Sequence, residues 1–282
     1  MKTIDLHVHS NISDGTCTPE ELVRLAQETG LSAFALTDHD TVLGIEQAIT
    51  ASAGTGVEVI PGIEFSTRWQ YRDVHILGYW IDYRNPAFRE KLGEFMDARD
   101  SRNEKMCRRI REYTGFPCYL SDLQSHYPGA VITRAHMASW MVDQGYVKTR
   151  NIAFDKYLGD HAPCFIPKTQ VSPQDAIQLI LTYGGIPVLA HPLLYALSGK
   201  QMNALLEELT NAGLRGIETF YSMNQGSDTA HVRSLAQKYG LLLTGGSDFH
   251  GENKPDIALG TGRNHNLAIP YGILESLKAA RS

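Results

Sequence analysis

The alternation of apolar strands with amphipathic helices is the feature that most constrains this chain. One strand is predicted to end near Ser10, a capped helix begins at Thr18, and a second strand covers residues 32–37. Helices between successive strands act as right-handed crossovers, so the pattern predicts a parallel sheet. With 282 residues, 43% of them apolar, the chain is close to the usual size of one α/β barrel. We therefore predict an α/β fold.

The alternation is interrupted in the middle of the chain. A long charged helix is predicted up to about Tyr113, and shorter helical stretches follow it with almost no strand pattern. Alternation resumes at the capped helix that begins at Ser172. We therefore expect a barrel domain formed by residues 1–84 and 168–282, and a small helical insertion subdomain formed by residues 85–167.

Charge and cysteine content narrow the class of protein. The net charge of -5 is mild and no long basic run is present, which disfavours a protein that coats duplex nucleic acid or an anionic membrane. No apolar run approaches the roughly 20 residues of a membrane span. The four cysteines lie far apart, as is typical of reduced thiols. We expect a cytoplasmic protein with no membrane contact, and no obligate protein partner is evident.

The first predicted strand contains a His-x-His pair. His7 and His9 point to the same face because alternate side chains of a strand do so. Asp14 precedes Gly15 in a predicted turn, from which its carboxylate can reach the same end of the strand. The pair alone is equally compatible with a metal site and with a half-buried strand that contains two satisfied histidines.

Other candidate ligands share the position of this pair, because they lie at or just after the C-terminal ends of predicted strands. In a (β/α) barrel these ends form one face, where active sites are found, so residues distant in sequence converge there. The set contains six histidines and three carboxylates: His7, His9, Asp14, His39, Glu64, His75, His191, Asp248 and His250.

This set of side chains predicts a polynuclear metal site. One tetrahedral zinc ion takes four ligands, so nine are too many for it, whereas they suit two or three ions that share a carboxylate. Nitrogen and oxygen donors without cysteine fit Mn²⁺, Zn²⁺ or Fe²⁺. Clustered ions polarise a phosphoryl or carbonyl oxygen and lower the pKa of bound water to about 7, which makes hydroxide available as the nucleophile. We therefore predict a hydrolase.

Several residues near these positions are given simpler interpretations. Asp5, Asp38 and Asp40 adjoin predicted ligands and are interpreted as groups that orient imidazoles or cap turns. Four histidines away from strand ends are interpreted as ordinary: His126, His161, His231 and His265.

Five short motifs resemble those of the PHP (polymerase and histidinol phosphatase) superfamily. They are Asp5–Ser10, Thr37–Asp40, Gly62–Phe65, Ala190–Pro192 and Ser247–His250. The resemblance covers nearly the whole chain and implies a distorted (β/α)7 barrel with a trinuclear site, for which we expect Mn²⁺.

The resemblance also implies how the ligands divide. One metal would be held by His7, His9, Glu64 and Asp248, a second by Glu64, His75 and His191, and a third by Asp14, His39 and His250. The hydroxide nucleophile would be held by Glu64, His191 and Asp248.

The helical insertion resembles one branch of the superfamily, which hydrolyses nucleoside 3',5'-bisphosphates and trims short 5'-phosphorylated RNA from its 5' end. A guanidinium and an ammonium suit the phosphate that is not cleaved. The expected partners are therefore a nucleotide and short single-stranded RNA. The implied substrate-binding residues are Arg134, His136 and Lys168, and Ser222 and Asn224 are open to the same role.

Three other functions stay open at this point. A histidinol-phosphate phosphatase would keep the metal site but would need a carboxylate instead of Arg134, since its substrate has one phosphate and a cationic amine. An amidohydrolase would leave the predicted phosphate-binding residues without a role. A metal-loaded scaffold without turnover is disfavoured by the complete ligand set.

Overall fold

The computed structural model of the protein describes residues 2–70, 72–160, 162–167 and 171–281. The strands are β1 (Thr3–Val8), β2 (Leu31–Leu36), β3 (Glu58–Trp69), β4 (Arg72–Tyr79), β5 (Ile186–Leu189), β6 (Gly216–Tyr221), β7 (Leu242–Gly246), β8 (Ile257–Ala258), β9 (Gly262–Arg263) and β10 (Ile269–Pro270). The α-helices are α1 (Pro19–Glu28), α2 (Ile45–Ser52), α3 (Pro86–Thr114), α4 (Leu120–His126), α5 (Arg134–Asp143), α6 (Arg150–Ala153), α7 (Pro173–Thr182), α8 (Gly199–Asn211), α9 (Asp228–Tyr239) and α10 (Gly272–Arg281).

Eight strands form one sheet in the order β10-β1-β2-β3-β4-β5-β6-β7. The chain after β7 returns to β1: the N–H of Asp248 donates to the carbonyl of His7 at 2.9 Å, and that of His9 donates to the carbonyl of Phe249 at 3.0 Å. The sheet is therefore a nearly closed barrel, and the predicted distorted α/β barrel is confirmed. Seven strands were predicted, and the eighth is the two-residue β10, antiparallel to β1.

The prediction of a parallel sheet was wrong at β4. This strand runs antiparallel to both β3 and β5, whereas the neighbours β1–β2, β2–β3, β5–β6 and β6–β7 are parallel. Because β3 ends at Trp69 and β4 begins at Arg72, the link is far too short for a crossover and makes a hairpin. As a result, His75 reaches the site from the first half of its strand, and Glu64 lies inside β3.

Side-chain caps determine where several helices begin. The hydroxyl of Thr18 accepts the N–H of Glu21, and the Glu21 carboxylate accepts the N–H of Thr18 at 2.8 Å. The same reciprocal pair forms at Ser172 before α7 and at Ser198 before α8. Each pair satisfies N–H groups that the first turn of a helix leaves without partners. These helix starts follow directly from the local sequence.

The chain divides into two compact units, residues 1–90 with 170–282 and residues 91–169. We call them the barrel unit and the helical unit. The core of the barrel unit includes Ile4, Leu6, Ala33, Ile60, Leu77 and Val188. The helical unit has a core of its own, which includes Met106, Cys107, Leu123, Met137, Trp140 and Met141. In the part of the chain that is described, no helix is both long and apolar enough to span a membrane.

Candidate metal centre

All nine predicted ligands belong to the barrel unit and converge at one end of its sheet. The side chains of His39 and His75 are 12% and 20% exposed, and the other seven residues are buried. A cluster of ionisable groups so well removed from water is costly unless its members are paired or bind a metal.

The ligand atoms form four overlapping groups. Within each group the atoms lie within 4.8 Å of one another. Neighbouring groups share one residue, so the four form a closed ring with His9, His7, Glu64 and His39 as the shared members. The groups are His9, Asp14, His39 and His250; His7, His9 and Asp248; His7, Glu64 and His191; and His39, Glu64 and His75. In these groups His75 and His191 each meet Glu64, but they do not share a group with one another.

Glu64 is the carboxylate of this ring that lies close to five imidazoles. Its two carboxylate oxygens face five imidazoles, whereas one carboxylate has only about four lone-pair sites that accept hydrogen bonds. Oε1 is 2.8 Å from His75 Nδ1 and 3.0 Å from His191 Nε2, and Oε2 lies 3.1–3.2 Å from nitrogens of His7, His9 and His39.

Two buried ring nitrogens show that these residues fit metal ions. Nε2 of His7 and Nε2 of His9 are fully buried and lie beside Glu64 Oε2, but neither makes a hydrogen bond of normal geometry among the described residues. In each ring the other nitrogen points away from Glu64, since Nδ1 of His7 is 3.0 Å from Glu218 and Nδ1 of His9 is 3.5 Å from the hydroxyl of Ser13. An inner nitrogen without a partner beside carboxylate oxygens is the donor set that a divalent cation uses.

Comparison with known proteins agrees with this arrangement. The PHP domain family matches residues 5–85. A 5'-3' exoribonuclease from Haemophilus influenzae is 34% identical over 249 residues, which cover 88% of this chain and 90% of that protein. The chain belongs to the PHP family.

Two further similarities extend over nearly the whole PHP chain. A 3',5'-nucleoside bisphosphate phosphatase from Chromobacterium violaceum is 33% identical over 259 residues, or 91% of each chain. A solved structure from Bifidobacterium adolescentis, described as a candidate metal-dependent phosphoesterase, has a TM-score of 0.85 and 29% identity, and the match covers 100% of this chain and 96% of that one. The similarity therefore includes the helical unit as well as the barrel.

Glu218, which the sequence analysis missed, contacts two of the predicted ligands, His7 and His191. It lies in β6, is 0% exposed, and accepts the main-chain N–H of His191 at 2.7 Å while its other oxygen is 3.0 Å from His7 Nδ1. A carboxylate beside Nδ1 holds a proton on that nitrogen, so Nε2 is the nitrogen that can give up its proton to a metal, and it is directed at the centre. Glu218 therefore determines which nitrogen of His7 is available for a metal.

Two of the neighbouring aspartates hold loops instead of imidazoles. The Asp5 carboxylate accepts the N–H groups of Ser247 and Gly260, each at 2.8 Å. Asp38 accepts the N–H and hydroxyl of Ser10 at 2.8 and 2.6 Å, together with the hydroxyl of Ser13 at 2.6 Å. Burial raises the pKa of both carboxyl groups, and these hydrogen bonds oppose the shift. They fix the loops that carry the ligands.

Opposite charges inside the cluster shift the pKa values of its members. Burial lowers the pKa of His7, but the carboxylates of Glu218, Glu64 and Asp248 outweigh it and raise that pKa well above its usual value. Burial raises the pKa of Glu64, yet the surrounding imidazoles hold it well below the ordinary range. At His39 burial wins, and its pKa is well below normal. The lowered pKa favours the anionic form of Glu64, which is the form that binds a metal.

The backbone is strained where ligands leave the strands. His191 has a φ of 22° and Asp248 a φ of 59°, and Asp40, beside the ligand His39, has a φ of 53°. Residues other than glycine rarely adopt these positive φ angles, which cost roughly 1–3 kcal/mol each. Close packing adds a constraint at Gly246, where any Cβ would collide with the backbone of His7. Fixing these angles requires the surrounding barrel.

Two of the predicted substrate-binding residues, Arg134 and His136, lie at the start of α5 in the helical unit. Arg134 Nη1 pairs with the Asp160 carboxylate at 2.9 Å, and the guanidinium lies 5.2 Å from the ring centre of Phe165. His136 is 4% exposed, and its Nδ1 accepts the N–H of Thr133 at 3.0 Å, which caps the helix. Lys168 lies outside the described residues.

Other predicted residues have structural contacts. The hydroxyl of Ser222 donates to the carbonyl of Ser247 at 2.6 Å, and the amide of Asn224 donates to the carbonyl of Thr219 at 2.9 Å, so both hold the chain after β6. Their role in substrate binding stays a prediction. Of the histidines interpreted as ordinary, His126, His231 and His265 belong to none of the four ligand groups, and His161 lies outside the described residues.

Proposed function

We propose that this PHP protein removes the 3'-phosphate of nucleoside 3',5'-bisphosphates and trims short 5'-phosphorylated RNA from its 5' end. It is an enzyme of the metal-dependent phosphoesterase class. The observation that carries the proposal is the closed ring of four ligand groups that includes Glu64. The names of the two relatives described above supply the substrate class.

Two or three divalent ions suit the nitrogen and oxygen donors of the ring. Among Mn²⁺, Zn²⁺ and Fe²⁺ we propose Mn²⁺, the metal expected from the resemblance to the PHP superfamily. When bound, such ions polarise phosphoryl oxygens and lower the pKa of water. We also propose a cytoplasmic enzyme, in keeping with the four free cysteines.

Three residues of the barrel would position the reaction. Glu64, His191 and Asp248 come from β3 and from the ends of β5 and β7, and together they present two carboxylates and one imidazole to the reacting phosphate. Glu218 holds the main chain of His191 and Tyr221 holds the side chain of Asp248 before substrate arrives. Such preorganisation lowers the barrier because little reorganisation accompanies the charge that gathers on the phosphoryl oxygens.

The helical unit would bind the phosphate that is not cleaved. Arg134, held by Asp160, offers a planar guanidinium that suits two phosphate oxygens, and Lys168 adds a charge. Binding energy from this remote phosphate would orient the reacting one. We assign His136 a supporting role, because its ring caps the helix that carries Arg134.

The experiment compares phosphate release by the manganese-loaded protein from adenosine 3',5'-bisphosphate, adenosine 5'-monophosphate and histidinol phosphate, with a 5'-phosphorylated tetraribonucleotide followed by chromatography. We expect the bisphosphate to be strongly preferred and the oligomer to shorten from its 5' end. Preference for histidinol phosphate would replace the substrate assignment. Absence of turnover on every phosphoester would favour an amidohydrolase or a metal-loaded scaffold.

A further inference from the structure

Lys254 forms an ion pair with a ligand of the candidate centre. Its ammonium nitrogen lies 2.5 Å from Oδ2 of Asp248, and its side chain is 36% exposed, whereas that of Asp248 is 5% exposed. The lysine follows the short 3-10 turn Gly251–Asn253 after β7. A cation therefore stands at the edge of the buried cluster, with one side toward Asp248 and the other toward solvent.

The two oxygens of Asp248 have different surroundings. Oδ1 faces the ring of imidazoles, at 3.7 Å from His7 Nε2, 3.5 Å from His9 Nε2 and 3.3 Å from His250 Nδ1. Oδ2 receives Lys254 and also the hydroxyl of Tyr221, which donates at 2.8 Å. Tyr221 is 3% exposed, so this second donor is held inside the barrel. Asp248 thus has a buried phenol as a second donor, on the same oxygen that Lys254 contacts.

The segment that carries Lys254 is anchored to the loop of another ligand. The side-chain amide of Asn253 donates to the carbonyl of Asp14 at 2.8 Å, and the N–H of Glu252 donates to the hydroxyl of Thr16 at 3.0 Å. These contacts connect the two loops that supply Asp14 and Asp248. The position of Lys254 relative to the cluster is therefore defined by the fold.

We propose that Lys254 is a catalytic residue that binds the phosphoryl group undergoing cleavage. The assignment rests on the proposed phosphoesterase function but not on the choice of substrate. A phosphomonoester carries about two negative charges near neutral pH. An ammonium has three N–H donors, so Lys254 can keep one on Asp248 and direct another to a non-bridging phosphate oxygen. Arg134 would bind the remote phosphate, and Lys254 the reacting one.

The test compares Lys254→Met with three other variants. Lys254→Arg keeps the charge, and Tyr221→Phe removes the other donor to Asp248 without changing any charge. Lys278→Met is the matched control, because Lys278 has a similar exposure of 38% but pairs with Glu58 at 2.7 Å. Each variant is assayed on p-nitrophenyl phosphate and on adenosine 3',5'-bisphosphate. Calorimetry measures the binding of Mn²⁺ to each protein and of inorganic phosphate to the manganese-loaded form.

We expect Lys254→Met to weaken the binding of inorganic phosphate by about 10- to 100-fold, the loss typical of one hydrogen bond between charged groups. The value of kcat/KM should fall by the same factor on both substrates, while Mn²⁺ binding stays at the wild-type level. Lys254→Arg should recover part of the loss. Tyr221→Phe should keep phosphate affinity and weaken Mn²⁺ binding, and Lys278→Met should change neither.

Two results would overturn the assignment. If Lys254→Met weakens Mn²⁺ binding as Tyr221→Phe does and leaves phosphate affinity unchanged, the lysine acts only as a partner of Asp248. If it changes neither quantity, the ion pair has no role in the reaction. Failure of the proposed substrate is distinguishable from both, because a wild-type protein inactive on the bisphosphate still reports phosphate and Mn²⁺ binding by calorimetry.

Discussion

The barrel unit and the helical unit place their charged residues in different surroundings. At the end of the barrel, the metal-ligand candidates come from many strands and are mostly buried, and both oxygens of Glu64 are shared among imidazoles. In the helical unit, Arg134 is 21% exposed and is held by one carboxylate and one carbonyl at the start of a single helix. In the proposed function, the reaction would therefore depend on many strands of the barrel, whereas substrate choice would depend on a few local contacts.

The sharpest test of this contrast is Glu64→Gln. The amide keeps the size of the side chain but cannot offer two anionic oxygens to the ring of imidazoles. We expect the value of kcat to fall by about 1,000-fold or more on every phosphoester, since metal ions supply several kcal/mol of charge stabilisation. Steady-state kinetics on p-nitrophenyl phosphate and the bisphosphate measure the loss. A substrate-selective loss would contradict the division between the units.

Glu218→Gln tests whether Glu218 orients the predicted ligands His7 and His191. A glutamine has one acceptor oxygen, so it cannot serve both the His191 N–H and His7 Nδ1, and the proton of His7 would move to Nε2. We expect Mn²⁺ affinity to fall by about 10- to 100-fold, as for other residues that orient metal ligands. Calorimetry measures the affinity, with the exposed Glu28→Gln as control. Unchanged affinity with a normal fold would remove Glu218 from the metal site.

Arg134→Ala tests whether the helical unit binds the phosphate that is not cleaved. Loss of a charged hydrogen bond should lower kcat/KM on the bisphosphate by about 10- to 100-fold. The same variant should be nearly normal on p-nitrophenyl phosphate, which has no second phosphate. Arg111→Ala is the matched control in the helical unit, since Arg111 has a similar exposure of 24% but pairs with Glu104 at 3.6 Å and lies over the ring of Tyr119. Equal losses on both substrates would refute the role of Arg134.

Metal addition should stabilise the protein in a pH-dependent way. At a free Mn²⁺ concentration 100 times Kd, the free energy of unfolding should rise by about 2.7 kcal/mol for each ion that binds. Protons compete with the metal for its ligands, so the gain should be complete at alkaline pH and fall as pH drops. Neighbouring carboxylates raise the pKa of His7, so competition there begins above the usual histidine range. Thermal unfolding with and without Mn²⁺ across pH measures this, and a gain independent of pH would exclude the imidazoles as ligands.

The smallest expected effect is that of Thr133→Ala. Its hydroxyl accepts the N–H groups of Ala135 and His136 at the start of α5. Removal of this cap should lower stability by about 1 kcal/mol. Chemical denaturation measures the loss, and Mn²⁺ affinity should stay unchanged. A weaker metal site in this variant would show that the two units are energetically coupled.

Much of the site could be predicted because its ligands carry local signals. His7 and His9 alternate in a strand, and the other candidates follow strand ends, where a barrel brings them together. Glu218 also had a signal that was missed, since it is a carboxylate in the middle of the apolar strand β6. The contact between Lys254 and Asp248 had none, because it depends on the path of a loop after β7. Sequence periodicity identifies elements but not the contacts of irregular segments.

The error in the sheet has a similar cause. Residues 72–79 form a strand, as the pattern indicated, but strand periodicity is the same for both directions of the chain. The direction is determined by the length of the link, and the short interval after Trp69 permits only a hairpin. Helix starts were more reliable, since the caps at Thr18 and Ser172 are specified by residues within one turn.

The left-handed backbone at His191 and Asp248 has an evolutionary consequence. Glycine adopts such angles without the steric cost, so replacement of either residue by glycine would relieve local strain while removing a ligand. Relief of backbone strain and retention of the ligand therefore make opposite demands on the residue at these two positions. A lineage that no longer needs the metal centre would accept glycine at these two positions more readily than at ligands with ordinary backbone angles.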